Sequence, residues 1–352
     1  MPEPVVKVVD LKKYFPLRRG IVEVLTMKPR RYVRAVDGVC FEMHIGEVFC
    51  LVGESGCGKT TTGRLLTRLL TPTAGHIYYK PSEDIRDQIP EKYFTNGGYV
   101  DLARKLPKRV DKLFRREIQI VFQDPFGSLD PRMKVYDILK EPLIVHGIGS
   151  TEEERREIIY RILSEVKLVP PDQFMGRYPH MLSGGQRQRV AFARAMILKP
   201  TVVVADEPVS MLDVSIRAEI LQLMLDLQAS RDLSYLFITH DLAVASYLCT
   251  KIAVMYLGKI VEMGPTDRVI NNPQHPYTRA LIAAVPEPDP RNRFKIREVP
   301  IKGEVPSAAA IPPGCRFHPR CPNTMDICRK KEPELIEVEP GHYAACWLHQ
   351  RK

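Results

Sequence analysis

Residues Gly53-Glu54-Ser55-Gly56-Cys57-Gly58-Lys59-Thr60 fit the pattern G-x-x-x-x-G-K-[ST]. Glycines at this spacing let a backbone wrap a phosphate with successive N–H groups turned inward, and a helix starting at the end of the run adds the positive end of its dipole. The pattern assigns Lys59 to the β- and γ-phosphates and the Thr60 hydroxyl to Mg²⁺, with Thr61 continuing the cradle. A second chemical element lies in Val202-Val203-Val204-Ala205-Asp206-Glu207. There an apolar run carries Asp206 to a strand end, where a carboxylate can hold Mg²⁺ directly or through water. The adjacent Glu207 can orient and deprotonate an attacking water, so two neighbouring carboxylates divide charge neutralisation and nucleophile activation.

The elements needed to position these groups are readable from periodicity. Glu47–Val52 reads as a buried strand leading into the glycine run, and Thr60–Leu70 as the helix after it. Further strands are expected at Glu117–Phe122, Thr201–Ala205 and Ser234–Thr239. Helices are expected at Thr151–Val166, Gln186–Leu198 and Val214–Gln228. Lys251–Leu257 and Lys259–Met263 read as a hairpin turning at Gly258. Strands alternating with helices imply an α/β fold whose sheet is mostly parallel and covered by helices on both faces. After about Gly264 that rhythm stops and prolines crowd in (Pro265, Pro273, Pro276, Pro286, Pro288, Pro290), which places a boundary there.

Leu182-Ser183-Gly184-Gly185-Gln186 precedes the helical run from Gln186, so the chain has a second helix tip built to face an anion. One triphosphate does not need two such tips from one chain, whereas two chains placed head to tail would each close the other's pocket. With this motif the chain resembles the ATP-binding subunits of ABC transporters. The resemblance implies a P-loop ATPase core with a helical signature subdomain and an antiparallel β subdomain, using ATP and Mg²⁺. It further implies that Gln123 (in Phe122-Gln123-Asp124-Pro125) contacts Mg²⁺ and the water, and that Ser210, Leu212 and Asp213 form a loop that communicates across a dimer. It makes His240 the switch that contacts the γ-phosphate, and Phe15, next to Tyr14, the aromatic on which adenine stacks.

Asp206-Glu207-Pro208-Val209-Ser210-Met211-Leu212-Asp213-Val214-Ser215, Ala35-Val36-Asp37-Gly38 and His275-Pro276-Tyr277 are similar to the ATPases of oligopeptide/dipeptide importers. Val209 and the long N-terminal segment look like the second of that branch's two paralogues. The resemblance implies residues 1–263 as nucleotide-binding domain and 264–352 as a C-terminal domain. It implies a heterodimer with a paralogous ATPase under two permeases, on the cytoplasmic face of the cell membrane, served by a substrate-binding protein and acting without nucleic acid. Some members of the branch move oligosaccharides, and exporters are a more distant alternative. Residues 82–116 depart from the family pattern in length; their Arg and Lys residues read as a solvated surface insertion in preference to a contact with acidic lipid headgroups or a partner subunit.

Cys315, Cys321, Cys328 and Cys346 run C-x5-C-x6-C-x17-C within the last tenth of the chain. Four thiolates suit a [4Fe–4S] cluster or a tetrahedral zinc, and the absence of tight C-x2–4-C knuckles favours the cluster. In the importer branch such cysteines carry a [4Fe–4S] cluster in some members. A short Pro-rich segment has little core of its own, so metal binding would supply folding free energy. His318, His342 and His349 are read as surface residues or neighbours of the thiolates. Across all 352 residues, 44% are apolar and 27% charged, which excludes bulk disorder and fibrous classes. The net charge of +10 selects no partner by itself.

Overall fold

The computed structural model describes residues 3–17, 19, 30–95, 97–285, 301–304 and 306–350. Two long antiparallel strands, β1 (Val6–Pro16) and β2 (Tyr32–Met43), come first. The buried strand β3 (Val48–Val52) then feeds helix α1 (Lys59–Leu66). Strand β4 (Ala74–Tyr79) returns to pair with β1, and the short β5 (Val100–Asp101) pairs with β4. Helix α2 (Lys108–Glu117) leads into β6 (Ile118–Val121). Helices α3 (Val135–His146), α4 (Glu152–Glu165) and α5 (Gly184–Met196) follow. Then come β7 (Val202–Asp206), α6 (Val214–Arg231), β8 (Ser234–Thr239) and α7 (Leu242–Leu248). The hairpin β9 (Lys251–Tyr256) and β10 (Lys259–Pro265), helix α8 (Pro276–Ala283), and strands β11 (Ile336–Glu339) and β12 (His342–Ala344) complete it.

Two sheets result. A four-stranded antiparallel sheet has the order β2-β1-β4-β5. An eight-stranded sheet has the order β11-β12-β10-β9-β3-β8-β7-β6, parallel from β6 through β9 and antiparallel beyond it. β3, β7 and β8 are buried at every residue, which is why they read as continuous apolar runs rather than alternating ones. Helices α3, α4 and α5 pack on one another around Leu139, Leu143, Ile159, Leu163 and Phe192. Thr151 begins α4 with a reciprocal capping box: its hydroxyl accepts the Glu154 N–H, and the Glu154 carboxylate accepts the Thr151 N–H.

Three expectations are corrected. The helix after the glycine run stops at Leu66 rather than Leu70, because Arg68 turns left-handed (φ 57°) and its guanidinium is tied to Asp111 on α2. Residues 82–116 are not merely solvated surface. Their cations at 104, 105, 108, 109, 112 and 115 are exposed, but Ile85, Ile89, Val100, Leu102, Val110 and Phe114 enter the core against β1 and β4. The Glu117 carboxylate, also buried, accepts hydrogen bonds from the Tyr79 and Ser82 hydroxyls. His342 is fully buried, its Nε2 2.8 Å from the Glu262 carboxylate of β10. That pair helps seat β12 on β10, so the sheet continues past Gly264 into the C-terminal segment. Of the crowded prolines, Pro286, Pro288 and Pro290 lie outside the described residues.

Candidate active site

The glycine run leaves the C-terminal end of β3, the sheet's natural ligand edge. Gly53 (φ 153°) and Gly58 (φ 112°) each occupy backbone where a side chain cannot fit. A Cβ on Gly53 would stand 2.3 Å from the Met255 carbonyl oxygen, and one on Gly58 2.2 Å from that of Ala35. Close strand-to-loop approach therefore fixes both glycines. Gly58 caps α1 without a side-chain hydrogen bond, so the first turn's N–H groups stay available to an anion. Lys59 is buried, and its ammonium donates to the carbonyls of Gly53 (2.7 Å) and Glu54 (3.1 Å), folded over the loop it serves.

Around this loop lies a cavity of about 600 Å³. Gly53, Glu54, Ser55, Gly56, Gly58, Lys59, Thr60 and Thr61 form one wall, and Gln123, Glu207 and His240 the other; Ala35 and Leu281 complete it. Cys57 turns away from the cavity into the core. The Thr60 hydroxyl donates to Asp206 Oδ1 at 2.9 Å, which brings together the two groups expected at Mg²⁺. Asp206 is buried at the end of β7. Burial raises its carboxyl pKa above the ordinary value, the Thr60 hydrogen bond lowers it, and the Glu207 charge raises it further. A divalent cation on Asp206 would offset both opposing influences.

Glu207 has a left-handed backbone (φ 46°), which turns its carboxylate from the strand direction into the cavity. Oε2 accepts the Gln123 amide at 3.0 Å and lies 3.2 Å from His240 Nδ1. Glu207, Gln123 and His240 are therefore one contact group, although they sit at the ends of β7, β6 and β8. Asp241 supplies the cap that starts α7 directly behind His240.

Ser183 caps α5 in a second capping box with Gln186, its hydroxyl accepting the Gln186 N–H at 3.3 Å. Gly184 and Gly185 make α5 fit the loop after Glu207. A Cβ on Gly184 would lie 3.5 Å from Leu212, and one on Gly185 2.6 Å from Ile216 of α6. Leu182 and Leu212 are buried in this contact; Ser210 donates to the Glu207 carbonyl, and Asp213 caps α6 through its backbone. None of residues 182–186 lines the cavity. Phe15 is half-buried on β1, opposite Val33 and with the Lys13 ammonium 5.2 Å from its ring; it is not part of the cavity wall.

Comparison with known proteins fixes the family. The chain is 43% identical over 347 residues to the dipeptide transport ATP-binding protein DppF of Escherichia coli K12, covering 99% of this chain and 95% of that one. It is 44% identical over 347 residues to the oligopeptide transport ATP-binding protein AppF of Bacillus subtilis 168, covering 99% and 98%. The chain belongs to the ATP-binding subunits of ABC transporters. Residues 36–210 match the ABC transporter family, and residues 261–328 the oligopeptide/dipeptide transporter C-terminal region. Among solved structures, dimeric MJ0796, a bacterial ABC transporter cassette, superposes with a TM-score of 0.59 at 27% identity, covering 74% of this chain and 98% of that one. The same cassette, bound to ADP and Pi after hydrolysis, gives 0.58 at 27%. The cavity wall from Gly53 to Glu207 falls within the residues that match the ABC transporter family.

The C-terminal cysteines of the ATPase are grouped. Cys315 donates its N–H to the Cys328 carbonyl at 2.8 Å, and Cys328 and Cys346 are buried. Burial pushes the Cys315 thiol up to about 12 and Cys346 up to about 11, with the neighbouring sulfurs adding repulsion between thiolates. Burial also raises the Cys321 thiol. Among the described residues, no three His, Cys, Asp or Glu side chains form a group spaced to hold a single metal ion.

Sequence reasoning missed the groups that brace the phosphate loop from the far end of the chain. Tyr277 accepts the Glu54 N–H at 2.9 Å, and Arg320 pairs with the Glu54 carboxylate. Arg316 pairs with Asp37, which also receives the Tyr14 hydroxyl. Tyr277 stood in the quoted His-Pro-Tyr triplet; no local signal marks Arg316 or Arg320.

Proposed function

We propose that this ABC ATPase powers uptake of dipeptides or oligopeptides as one subunit of an importer. The observation that carries the proposal is full-length similarity to DppF and AppF, including the C-terminal region, combined with a complete phosphate site. In this reading Lys59 and the glycine loop hold the β- and γ-phosphates, while Thr60, Asp206 and Gln123 would hold a Mg²⁺ that would offset phosphate charge. Glu207 takes the proton of the attacking water and His240 senses the γ-phosphate. Neutralisation of the spreading phosphoryl charge falls to Lys59 and the helix tip, and alignment of the water to the Glu207 contact group. Adenine packs near Phe15, and residues 1–263 act as the nucleotide-binding unit with 264–352 as an addition to it.

The serine-led tip of α5 lies off its own cavity, which supports a head-to-tail pairing in which Ser183 caps the partner's triphosphate. The proposed partner is a paralogous ATPase, with two permeases at the cytoplasmic face of the membrane and a substrate-binding protein beyond them. Among the described residues no helix is long and apolar enough to cross a membrane, so the permeases would supply the passage. Purifying the complex from membranes tests the reading: a co-purifying binding protein loaded with peptide should stimulate phosphate release. Stimulation by a sugar-loaded binding protein, and none by peptide, would reassign the cargo.

For the C-terminal thiols we propose a [4Fe–4S] cluster held by Cys315, Cys321, Cys328 and Cys346, supported by their number and spacing and by the repulsion that each thiolate would exert on the others. Bound there, it would join turns that have little apolar core. Anaerobically purified protein should contain iron and sulfide and show a broad brown absorbance that Cys321→Ser removes. Stoichiometric zinc without iron would replace this assignment.

A further inference from the structure

Glu54 is an awkward residue in a phosphate loop. It lines the cavity, so its carboxylate places negative charge beside a site built for a triphosphate. In this chain that charge is met from residue 320. Arg320 donates two hydrogen bonds to the Glu54 carboxylate, Nη1 to Oε2 at 2.7 Å and Nη2 to Oε1 at 3.0 Å. The arginine side chain is only 7% exposed against 29% for Glu54, so the pair is a buried guanidinium reaching to the loop, not a surface contact.

The arginine is also held in place. Its N–H donates to the Phe317 carbonyl at 3.0 Å, and its guanidinium lies 5.9 Å from the Tyr256 ring. Phe317 is fully buried, with ring centroids 5.3 Å from Tyr256 and 5.4 Å from Tyr277. Tyr277 accepts the backbone N–H of the same Glu54. One aromatic cluster therefore fixes both the backbone and the charge of Glu54.

We propose that Arg320 is a positioning residue for nucleotide binding, which neutralises Glu54 and aims its carboxylate away from the triphosphate. The inference rests on the ATP reading of the cavity. A bidentate guanidinium matches the carboxylate in geometry as well as charge, whereas a lysine would supply charge alone. Without Arg320 the carboxylate would be free to repel the incoming polyphosphate. The consequence is a rescue with a definite sign: removing the second charge should restore what removing the first destroys.

The experiment measures binding of a fluorescent ATP analogue with Mg²⁺ to the full chain, and KM and kcat for ATP in the assembled transporter. Arg320→Gln should raise Kd and KM about tenfold while kcat changes less than about twofold. Arg320→Lys should fall between it and the parent. The double variant Glu54→Gln/Arg320→Gln should bind within about threefold of the parent, tighter than Arg320→Gln alone. A double variant as weak as the single one would make Arg320 a purely structural brace and overturn the proposal, as would a loss confined to kcat. Should Arg320→Gln fail to fold, Arg320→Lys with and without Glu54→Gln gives the same sign test. A parent chain that binds no nucleotide would instead refute the ATP reading itself.

Discussion

Replacing Glu207 by glutamine removes one negative charge and one proton acceptor with almost no change of shape. The carboxylate accepts from the Gln123 amide at 3.0 Å and faces His240 Nδ1 at 3.2 Å, so the substituted amide oxygen can keep the first contact. The left-handed backbone at 207 is already established by the turn after β7 and is equally open to either side chain. Nucleotide binding should therefore persist and, with a negative charge gone from the cavity wall, tighten slightly. A positioned general base contributes about 10²–10⁴ in rate, so turnover should fall by that factor, about 3–5 kcal/mol of barrier. Phosphate release from the assembled transporter, read beside the Kd of a fluorescent ATP analogue, separates the two effects. Turnover within tenfold of the parent with binding intact would show that another group takes the water's proton. Loss of binding and turnover together would show that Glu207 braces the site instead.

Two further outcomes follow from buried titrating groups. Burial raises the Asp206 pKa in the folded chain, so the folded state holds that proton more tightly than the unfolded one, and ionisation opposes folding as pH rises through the folded value. Asp206→Asn should thus raise the melting temperature of the nucleotide-free chain at neutral pH while abolishing the Mg²⁺-dependent gain in ATP affinity; a lower melting temperature would contradict this. His275 is buried, and desolvation depresses its pKa to about 4 from an ordinary 6.5. The unfolded chain then takes up a proton that the folded chain refuses, so stability should fall by about 3 kcal/mol between about pH 6.5 and pH 4. His275→Gln should flatten that stretch of the denaturation-versus-pH curve, and an unchanged slope would assign the acid sensitivity elsewhere.

The parts of the site legible in the sequence are those in which one short segment carries both element and chemistry. The apolar β3 run followed by glycines and Lys59, the β7 run ending in Asp206-Glu207, and Ser183 three residues before Gln186 each specify strand, loop or cap by local rules. The hairpin at Gly258 was legible for the same reason, its turn taking positive φ at Leu257 and Gly258. What escaped depends on pairing across distance. β1 was marked only by its aromatics, and its register against β2 and β4 shifts at several places that no alternation would reveal. Residues 82–116 looked like charged surface because the cations outnumber the six apolar residues that face the core. The early end of α1 is set by an arginine whose partner lies 43 residues away. The Glu54–Arg320 pair spans 266 residues, beyond any periodicity or spacing rule.

Strand β12 closes the edge of β10, and its last residue is Ala344. During synthesis the sheet consequently stays unfinished until residues 342–344 have emerged from the ribosome. A product terminated between residues 265 and 341 would carry the phosphate loop yet expose an unpaired, apolar strand edge, a template for self-association. Glu262, fully buried beside His342, would be left there as a carboxylate stripped of its imidazole neighbour. Incomplete copies of this ATPase should therefore be sticky and quickly degraded rather than idle competitors for the permeases, which ties quality control of the motor to the strand at residues 342–344.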